Sequence, residues 1–374
     1  MVVNPPLILV SALFFLALSS VFYVSAWGIV KATLQIGRGR FSHAANKRLL
    51  MLGLMLPPVL ALIPTFGGAT LHHSHVTPLA EHHSPVCRLM FVHLFSAETM
   101  TGTAANASEI AGKIVNGAAW LLLGVGVFFF LRLVWATAKL EDGLEPHLHE
   151  PSAALTEALA RIGRSLPRLP TSRFFECALP AAYSSVLGLR HVRCVLSRDF
   201  VSSATADELD AVVAHEASHL IAHDVSAAFA VGALNCLFFP LRPVQLLARR
   251  WHEEAELACD DAAVAATKQP LAMAAAILRA IGAPVPLHGT ARPLPTVAMP
   301  FADQTASSTP ARVERLIAYA KAATLPAAQE TTRQIWAGWL TTLTFAGLGL
   351  VILLSPEMLC YAHCSLEAVS RLMP

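Results

Sequence analysis

Long uninterrupted runs of apolar residues alternate with polar stretches along the chain. Four of these runs contain no charged side chain and are each close to the length that a transmembrane helix needs, about 20 apolar residues. The first run is preceded by no Lys or Arg and is too long for the apolar part of a signal peptide, so we expect it to be a span. The runs predict transmembrane helices at about residues 7–30, 49–71, 114–131 and 334–356.

The longest segment between these runs, residues 132–333, has the patterns of a folded domain. Apolar side chains at Leu155, Leu159, Ile162 and Leu166 recur at helical spacing and predict a helix over residues 152–165. The short β-branched run Val192–Leu196 predicts a strand. A second helix is predicted after it, where Thr205 and Glu208 have the spacing of a capping box. The segment is therefore expected to be mainly helical with a small sheet.

Charge is scarce, and its distribution indicates an orientation in the membrane. The chain is 55% hydrophobic and only 14% charged, with a net charge of +2, which argues against a disordered, coiled-coil or nucleic-acid-binding protein. The 31–48 loop carries five basic residues and no acid, so the positive-inside rule places it in the cytoplasm.

The resulting prediction is a mainly α, multi-pass protein of the inner cell membrane, with four transmembrane helices, the N-terminus outside and a cytoplasmic α+β domain. Its predicted regions are a membrane region at 1–131 that includes an outer histidine-rich loop at 72–113, the cytoplasmic domain at 132–333, the fourth span at 334–356 and a short outer tail at 357–374.

The seven cysteines divide between the two sides in this topology. Cys87, Cys360 and Cys364 fall outside, where a disulfide is allowed, and the other four fall inside, where thiols stay reduced. Which outer pair would form, if any, is left open by the sequence.

A metal-binding motif lies in the helix that follows Thr205. His215 and His219 are four residues apart with Glu216 between them, and positions i and i+4 share one face of a helix. Both imidazoles can therefore reach one ion, with the glutamate beside it as a general base, which is the HExxH arrangement of zinc peptidases. The alternative is a helix that carries two surface histidines.

A catalytic zinc site needs a third protein ligand and one open position for water. Glu256 and Asp260 are four residues apart on a predicted helix further along the chain, so they also share a face. Glu256 is the candidate third ligand, and Asp260 could hold a ligand histidine through its other ring nitrogen. Asp224 is a second candidate for that supporting role.

These residues resemble a known family. The pattern His215-Glu-Ala-Ser-His219-x4-Asp224, followed by Glu256-Leu-Ala-Cys-Asp260, resembles the integral-membrane zinc peptidases of the BlaR/MecR beta-lactam sensor type. The CAAX prenyl protease and HtpX-like peptidases are related to that type. The resemblance implies a zincin-like metallopeptidase domain between the third and fourth spans, which agrees with the predicted membrane plan.

Two departures from the family limit what the resemblance implies. Sensor members carry an extracellular ligand-binding domain after the fourth span, where this sequence has the tail 357–374, so penicillin sensing is not carried over. Relatives of the prenyl-protease type have a histidine where this chain has Thr309, followed by an arginine at the distance of Arg315. Arg315 is therefore a candidate oxyanion helper, and a helix–helix salt bridge is its alternative role.

The resemblance implies one zinc ion and hydrolysis of peptide bonds in a protein or peptide substrate. Regulated cleavage of a transcriptional repressor or of a membrane protein is the expected role, without direct binding to nucleic acid. We also predict that substrate adds as a strand along Val192–Leu196, since an edge strand offers main-chain hydrogen bonds.

The apolar stretch Val225–Leu241 is an internal test of this interpretation. If it crossed the bilayer, His219 and Glu256 would lie on opposite sides, so we expect a buried or re-entrant segment close to the inner membrane surface.

Two other functions remain open: a signal transducer with a structural metal site, and a metal-handling membrane protein. The second would use the clustered imidazoles of the outer loop, which are His72, His73, His75, His82, His83 and His93.

Overall fold

The computed structural model describes residues 5–37, 41–73, 102–178, 184–282, 299–300 and 309–322. Within these ranges the chain is mainly helical, with one small sheet. The helices are α1 Pro5–Ile36, α2 His43–His73, α3 Gly102–Leu144, α4 Ala153–Ser165, α5 Arg198–Ser203, α6 Ala206–Ile221, α7 Asp224–Leu237, α8 Arg242–Thr267, α9 Pro270–Gly282 and α10 Thr309–Ala322. The strands are β1 Leu148–His149, β2 Phe174–Cys177, β3 Ser184–Leu187, β4 Arg193–Ser197 and β5 Met299–Pro300.

Helices α1, α2 and α3 are long and apolar enough to cross a membrane. Their qualifying segments are Phe15–Ile36, His43–Leu62 and Leu121–His147. Large apolar side chains point outward along them, including Val21 and Phe128, both about three-fifths exposed. Such a surface suits lipid rather than water. These helices confirm the mainly α membrane fold.

Several predictions fall outside the described residues. They are the fourth span at 334–356, the tail at 357–374, the three outer cysteines and all of the clustered loop histidines except His72 and His73. His72 and His73 form the end of α2.

The first two membrane helices pack closely on each other. Tyr23 of α1 is buried and donates its hydroxyl to the carbonyl of Leu54 in α2, at 2.9 Å. Leu50 and Leu54 of α2 belong to the same buried apolar cluster as Trp251 of α8. The core of the segment that follows α3 is therefore continuous with the packing of the membrane helices.

The sheet has the strand order β1-β2-β4-β3-β5. Strand β4 pairs in parallel with β2 and antiparallel with β3, so it lies in the centre. The predicted strand at Val192–Leu196 is therefore present, but the prediction that it binds substrate along an open edge is wrong. Cys194, Val195 and Leu196 are all buried, and such a continuous buried run is typical of a central strand.

Helix α6 begins as the sequence predicts. Thr205 accepts a hydrogen bond from the backbone of Glu208, and the Glu208 carboxylate accepts one from the backbone of Thr205, which completes the capping box. Helix α4 also forms at the predicted residues and buries Leu155, Leu159 and Ile162. Both boundaries are local features of the sequence, which is why pattern alone could find them.

Helix α7 is bent away from the axis of α6 instead of continuing it. The two helices meet at an angle of 60°, with His223 in the left-handed conformation between them. The far end of α7 lies among the membrane helices, because the ring of Phe238 packs on Tyr23 at 5.1 Å and that of Phe239 on Phe129 at 5.7 Å. A bent pair of helices of this kind fits a broken span as well as a re-entrant loop, so the re-entrant segment at Val225–Leu241 stays a prediction.

Candidate metal centre

Helix α6 presents two imidazoles to one point. His215 and His219 are both buried, and their Nε2 atoms lie 3.2 Å apart. One helical turn separates the residues, so the regular geometry of the helix is enough to bring the rings together.

Glu256 of α8 completes a group of three ligand atoms. One carboxylate oxygen lies 3.6 Å from Nε2 of His215, and the other lies 3.4 Å from Nε2 of His219. A tetrahedral ion with ligands at 2.0–2.1 Å requires separations of about 3.3 Å between ligand atoms. The three residues therefore fit a zinc ion, and the fourth corner is left for water or substrate.

Two carboxylates orient the imidazoles from behind. Nδ1 of His215 lies 3.1 Å from Asp260, and Nδ1 of His219 lies 2.9 Å from Asp224. A proton held at Nδ1 leaves the Nε2 lone pair free for a metal, which is how such outer partners select the tautomer of a ligand histidine. The structure thus brings all five predicted residues of the ligand and supporting set together.

Glu216 lies beside this group and is fully buried. Its Oε1 accepts a hydrogen bond from the hydroxyl of Ser184 on β3, at 2.7 Å. Its Oε2 has no hydrogen-bond partner among the described residues. A buried carboxylate with one oxygen held and the other free is suited to taking a proton from a nearby water.

Ser184 was missed by the sequence analysis. Its role depends on the register between β3 and β4, which pairs Ser184 with Leu196, and on the packing of that strand against α6. No local motif marks such a residue.

Arg312 is the arginine of α10 that contacts the candidate ligand Glu256. Arg312 is buried, makes two hydrogen bonds to Asp260 at 2.7 and 2.8 Å, and reaches Glu256 at 2.9 Å. Arg315, the predicted oxyanion helper, pairs instead with Asp261 at 3.1 Å and with Asp260 at 3.5 Å. These contacts match the helix–helix salt bridge that was its alternative. The two arginines are three residues apart on α10. The sequence therefore indicated that an arginine of this helix lies near the site, but it did not indicate which one.

Arg312 also sets the electrostatics of the carboxylates. Burial alone would raise the pKa of Glu256, but the guanidinium of Arg312 and hydrogen bonds with the two histidines hold that pKa well below its usual range. Burial also raises the pKa of Asp260, but the charge of Arg312 outweighs it, so the pKa of Asp260 is lowered as well. Both carboxylates are therefore anions at neutral pH, as a metal ligand and a histidine partner must be.

A second group of metal-ligand types lies next to the first. Cys259 is buried, with Sγ 3.3 Å from Nδ1 of His219 and 3.7 Å from Asp224. The ammonium of Lys47 already pairs with Asp224 at 2.8 Å, and a positive charge there opposes a second cation. Burial raises the pKa of the Cys259 thiol to about 11, so it stays protonated. The group formed by His215, His219 and Glu256 is therefore the candidate metal centre.

Comparison with known protein families supports this assignment. Residues 180–292 match the family model of the BlaR1 peptidase M56. The matched segment contains α6 and α8, and with them Glu216 and all three candidate ligands. The resemblance to BlaR/MecR-type metallopeptidases is thus confirmed for this part of the chain. The relation to CAAX prenyl proteases and HtpX-like peptidases stays a prediction. No curated protein matches the chain.

Proposed function

We propose that the protein is a membrane-embedded zinc endopeptidase, with one zinc ion held by His215, His219 and Glu256. The observation that carries the proposal is the closeness of the ligand atoms. The Nε2 atoms of His215 and His219 lie 3.2 Å apart, one carboxylate oxygen of Glu256 lies 3.6 Å from the first, and the other lies 3.4 Å from the second. These distances are within a few tenths of an ångström of the ligand separations in a tetrahedral zinc site. The M56 match over the same residues supports peptide hydrolysis as the reaction.

In this proposal the chain's own residues handle the protons. A bound zinc ion supplies Lewis acidity, which polarises the scissile carbonyl and lowers the pKa of water to about 7. Glu216 takes a proton from the attacking water at its free Oε2 and later gives it to the leaving amine. Ser184 holds the other oxygen, so the free oxygen keeps one orientation through both transfers. Asp260 and Asp224 hold the two imidazoles.

Arg312 has a supporting part in the proposed mechanism. Its guanidinium is engaged with Asp260 and Glu256, so its donors stabilise the negative charge of the ligand set. A cation in this place also keeps the ligand carboxylate ionised before metal arrives. This assignment replaces Arg315 as the functional arginine of α10.

The finer parts of the proposal concern sidedness and substrate. The basic loop 31–48 supports a cytoplasmic peptidase domain at 132–333, between the membrane region at 1–131 and a fourth span at 334–356. Helix α7 reaches in among α1 and α3, which supports a metal centre close to the inner membrane surface. The proposed substrate is a protein or peptide on that side, with a transcriptional repressor as the specific candidate.

A structural metal site is the competing function. The observation against it is Glu216, whose buried Oε2 lacks a hydrogen-bond partner within the described part of the chain and lies beside a three-ligand group. A structural zinc site uses four protein ligands and needs no such base.

The test is metal analysis and cleavage of a casein substrate by the full chain in detergent micelles. We expect one zinc per wild-type chain, little zinc in Glu256→Gln, and full zinc with cleavage lowered at least about 10³-fold in Glu216→Gln. Wild type without zinc would overturn the metal site. Cleavage that persists in Glu216→Gln would overturn the assignment of the base.

A further inference from the structure

The first turn of membrane helix α2 lies against the peptidase helices. His43, Asn46 and Lys47 are spaced i, i+3 and i+4, so they share one face of α2. His43 and Asn46 contact the buried carboxylate of Glu254 in α8, at 2.6 and 3.2 Å. Lys47 reaches further, to the first residue of α7.

Lys47 is joined to the metal centre by an unbroken series of short contacts. Its Nζ lies 2.8 Å from Oδ1 and 3.1 Å from Oδ2 of Asp224. Oδ2 of Asp224 in turn lies 2.9 Å from Nδ1 of His219. The ammonium is therefore two contacts away from the proposed ligand histidine, although it comes from a membrane-spanning helix 172 positions earlier in the sequence (219 − 47).

Because these contacts are buried, the loss of Lys47 would affect Asp224 strongly. The side chains of Lys47 and Asp224 are only 14% and 2% exposed, so water compensates the aspartate poorly. A buried carboxylate that loses its cationic partner is strongly disfavoured, and it relieves the penalty by moving. Such a movement alters how Asp224 holds the ring of His219, and outer partners of this kind tune metal affinity by 10–100-fold.

We propose that Lys47 is a positioning residue of the metal centre, acting through Asp224 on His219, so that this one contact of membrane helix α2 sets the metal affinity. The proposal rests on the proposed function, since it requires that His219 binds the metal. It assigns α2 a role beyond anchoring: movement of that helix relative to α7 changes the geometry of a ligand.

The experiment measures zinc affinity of the full chain in detergent micelles, by competition with a chromophoric chelator, together with the visible absorption of the cobalt-substituted protein. Lys47→Met is expected to weaken zinc binding at least about tenfold and to shift the cobalt bands. Lys47→Arg keeps the charge and is expected to restore most of the affinity. His43→Gln is the matched control, since it alters a different contact of α2, the one with Glu254, and leaves the pair of Lys47 and Asp224 in place. Its zinc affinity should stay within about twofold of wild type.

A double variant tests the route through Asp224. If Lys47 acts through that carboxylate, Lys47→Met adds nothing to the loss caused by Asp224→Asn alone. The double variant also removes both buried charges together, so it serves as the folded reference if Lys47→Met alone fails to fold.

Each failure has a distinct signature. Wild type that binds no zinc would overturn the proposed function. If wild type binds zinc and Lys47→Met has the same zinc affinity and cobalt spectrum as wild type, the role of Lys47 is overturned and the proposed function is not. An equal loss in His43→Gln, or additive losses in the double variant, would also overturn the role of Lys47.

Discussion

Arg312 and Asp260 form a buried, two-pronged ion pair, with Nε 2.8 Å from one carboxylate oxygen and Nη2 2.7 Å from the other. The pair joins α10 to α8, and the same guanidinium reaches Glu256 at 2.9 Å. Helix α10 is thereby tied directly to the residues that hold His215. Planar two-point contacts of this kind are specific to arginine.

Arg312→Met should destabilise the protein strongly, because it leaves Asp260 as a buried charge without its main cation. Breaking one side of a buried pair costs about 3–5 kcal/mol, so we expect a large fall in the thermal unfolding midpoint of the protein in detergent. Arg312→Lys keeps the charge but loses the two-point hydrogen bonding of the guanidinium, so its unfolding midpoint should lie between those of wild type and Arg312→Met. Arg249→Met is the control, because Arg249 is 69% exposed in its pair with Glu253 and should cost at most about 1 kcal/mol. A wild-type midpoint in Arg312→Met would contradict the prediction.

Ser184→Ala should slow cleavage without releasing zinc. Among the described residues, Ser184 makes the only hydrogen bond to the Glu216 carboxylate, so the substitution removes what fixes the orientation of that carboxylate. We expect kcat to fall about tenfold, which corresponds to about 1.4 kcal/mol, with unchanged zinc content. Ser185→Ala, at the next buried position of β3, is the matched control and should keep wild-type kcat. The prediction fails if the two variants behave alike, or if Ser184→Ala loses its metal.

Gly126→Val should disturb the contact between α3 and α7. A Cβ at Gly126 would meet the carbonyl oxygens of Cys236 and Leu237 at 3.3 and 3.4 Å, so α7 would have to give by a few tenths of an ångström, and the two methyl groups of valine would add to the crowding. Overpacking of this kind costs about 1–3 kcal/mol, and thermal unfolding in detergent would measure it. Gly124→Val lies on the same helix, where an added Cβ meets nothing within 4 Å, and should leave the midpoint near that of wild type. Equal effects of the two substitutions would show that α7 does not pack on α3 in this way.

Val195→Pro should unfold the domain rather than block substrate alone. Val195 is paired with Phe175 on one side and with Ser185 on the other, and a proline there removes a donor from the centre of the sheet. We expect loss of soluble monodisperse protein, and of zinc binding with it. Val195→Ala keeps the backbone donor and should remain folded with a lower midpoint. A folded, zinc-binding Val195→Pro would mean that β4 is not central.

The parts of the fold that sequence could predict are those encoded locally. Apolar periodicity located α4, the Thr205–Glu208 spacing located the start of α6, and the interval between His215 and His219 predicted a shared helical face. Glu256 was a candidate from its four-residue spacing to Asp260 on a predicted helix, and the family pattern supported that choice. The order of strands was not accessible, since the composition of β4 suits an edge or a central strand and pairing partners are set by long-range packing.

The supporting residues of the site could not be predicted for a related reason. Arg312 and Arg315 differ by less than one helical turn, so the choice between them depends on how α10 is rotated against α8. Lys47 lies in a segment that sequence assigns to the membrane region, where a basic residue is already explained by the positive-inside rule. Nothing in its neighbours indicates that it contacts Asp224.

Helix α6 is anchored at both of its ends. At its start the carboxylate of Glu208 receives Arg279 of α9 as well as the backbone of Thr205, and near its end Asp224 holds His219. These contacts fix the direction in which the side chains of α6 point, because rotation of the helix about its axis would break both of them together. Movement of His215 or His219 away from Glu256 by rotation of α6 would therefore require the loss of both contacts.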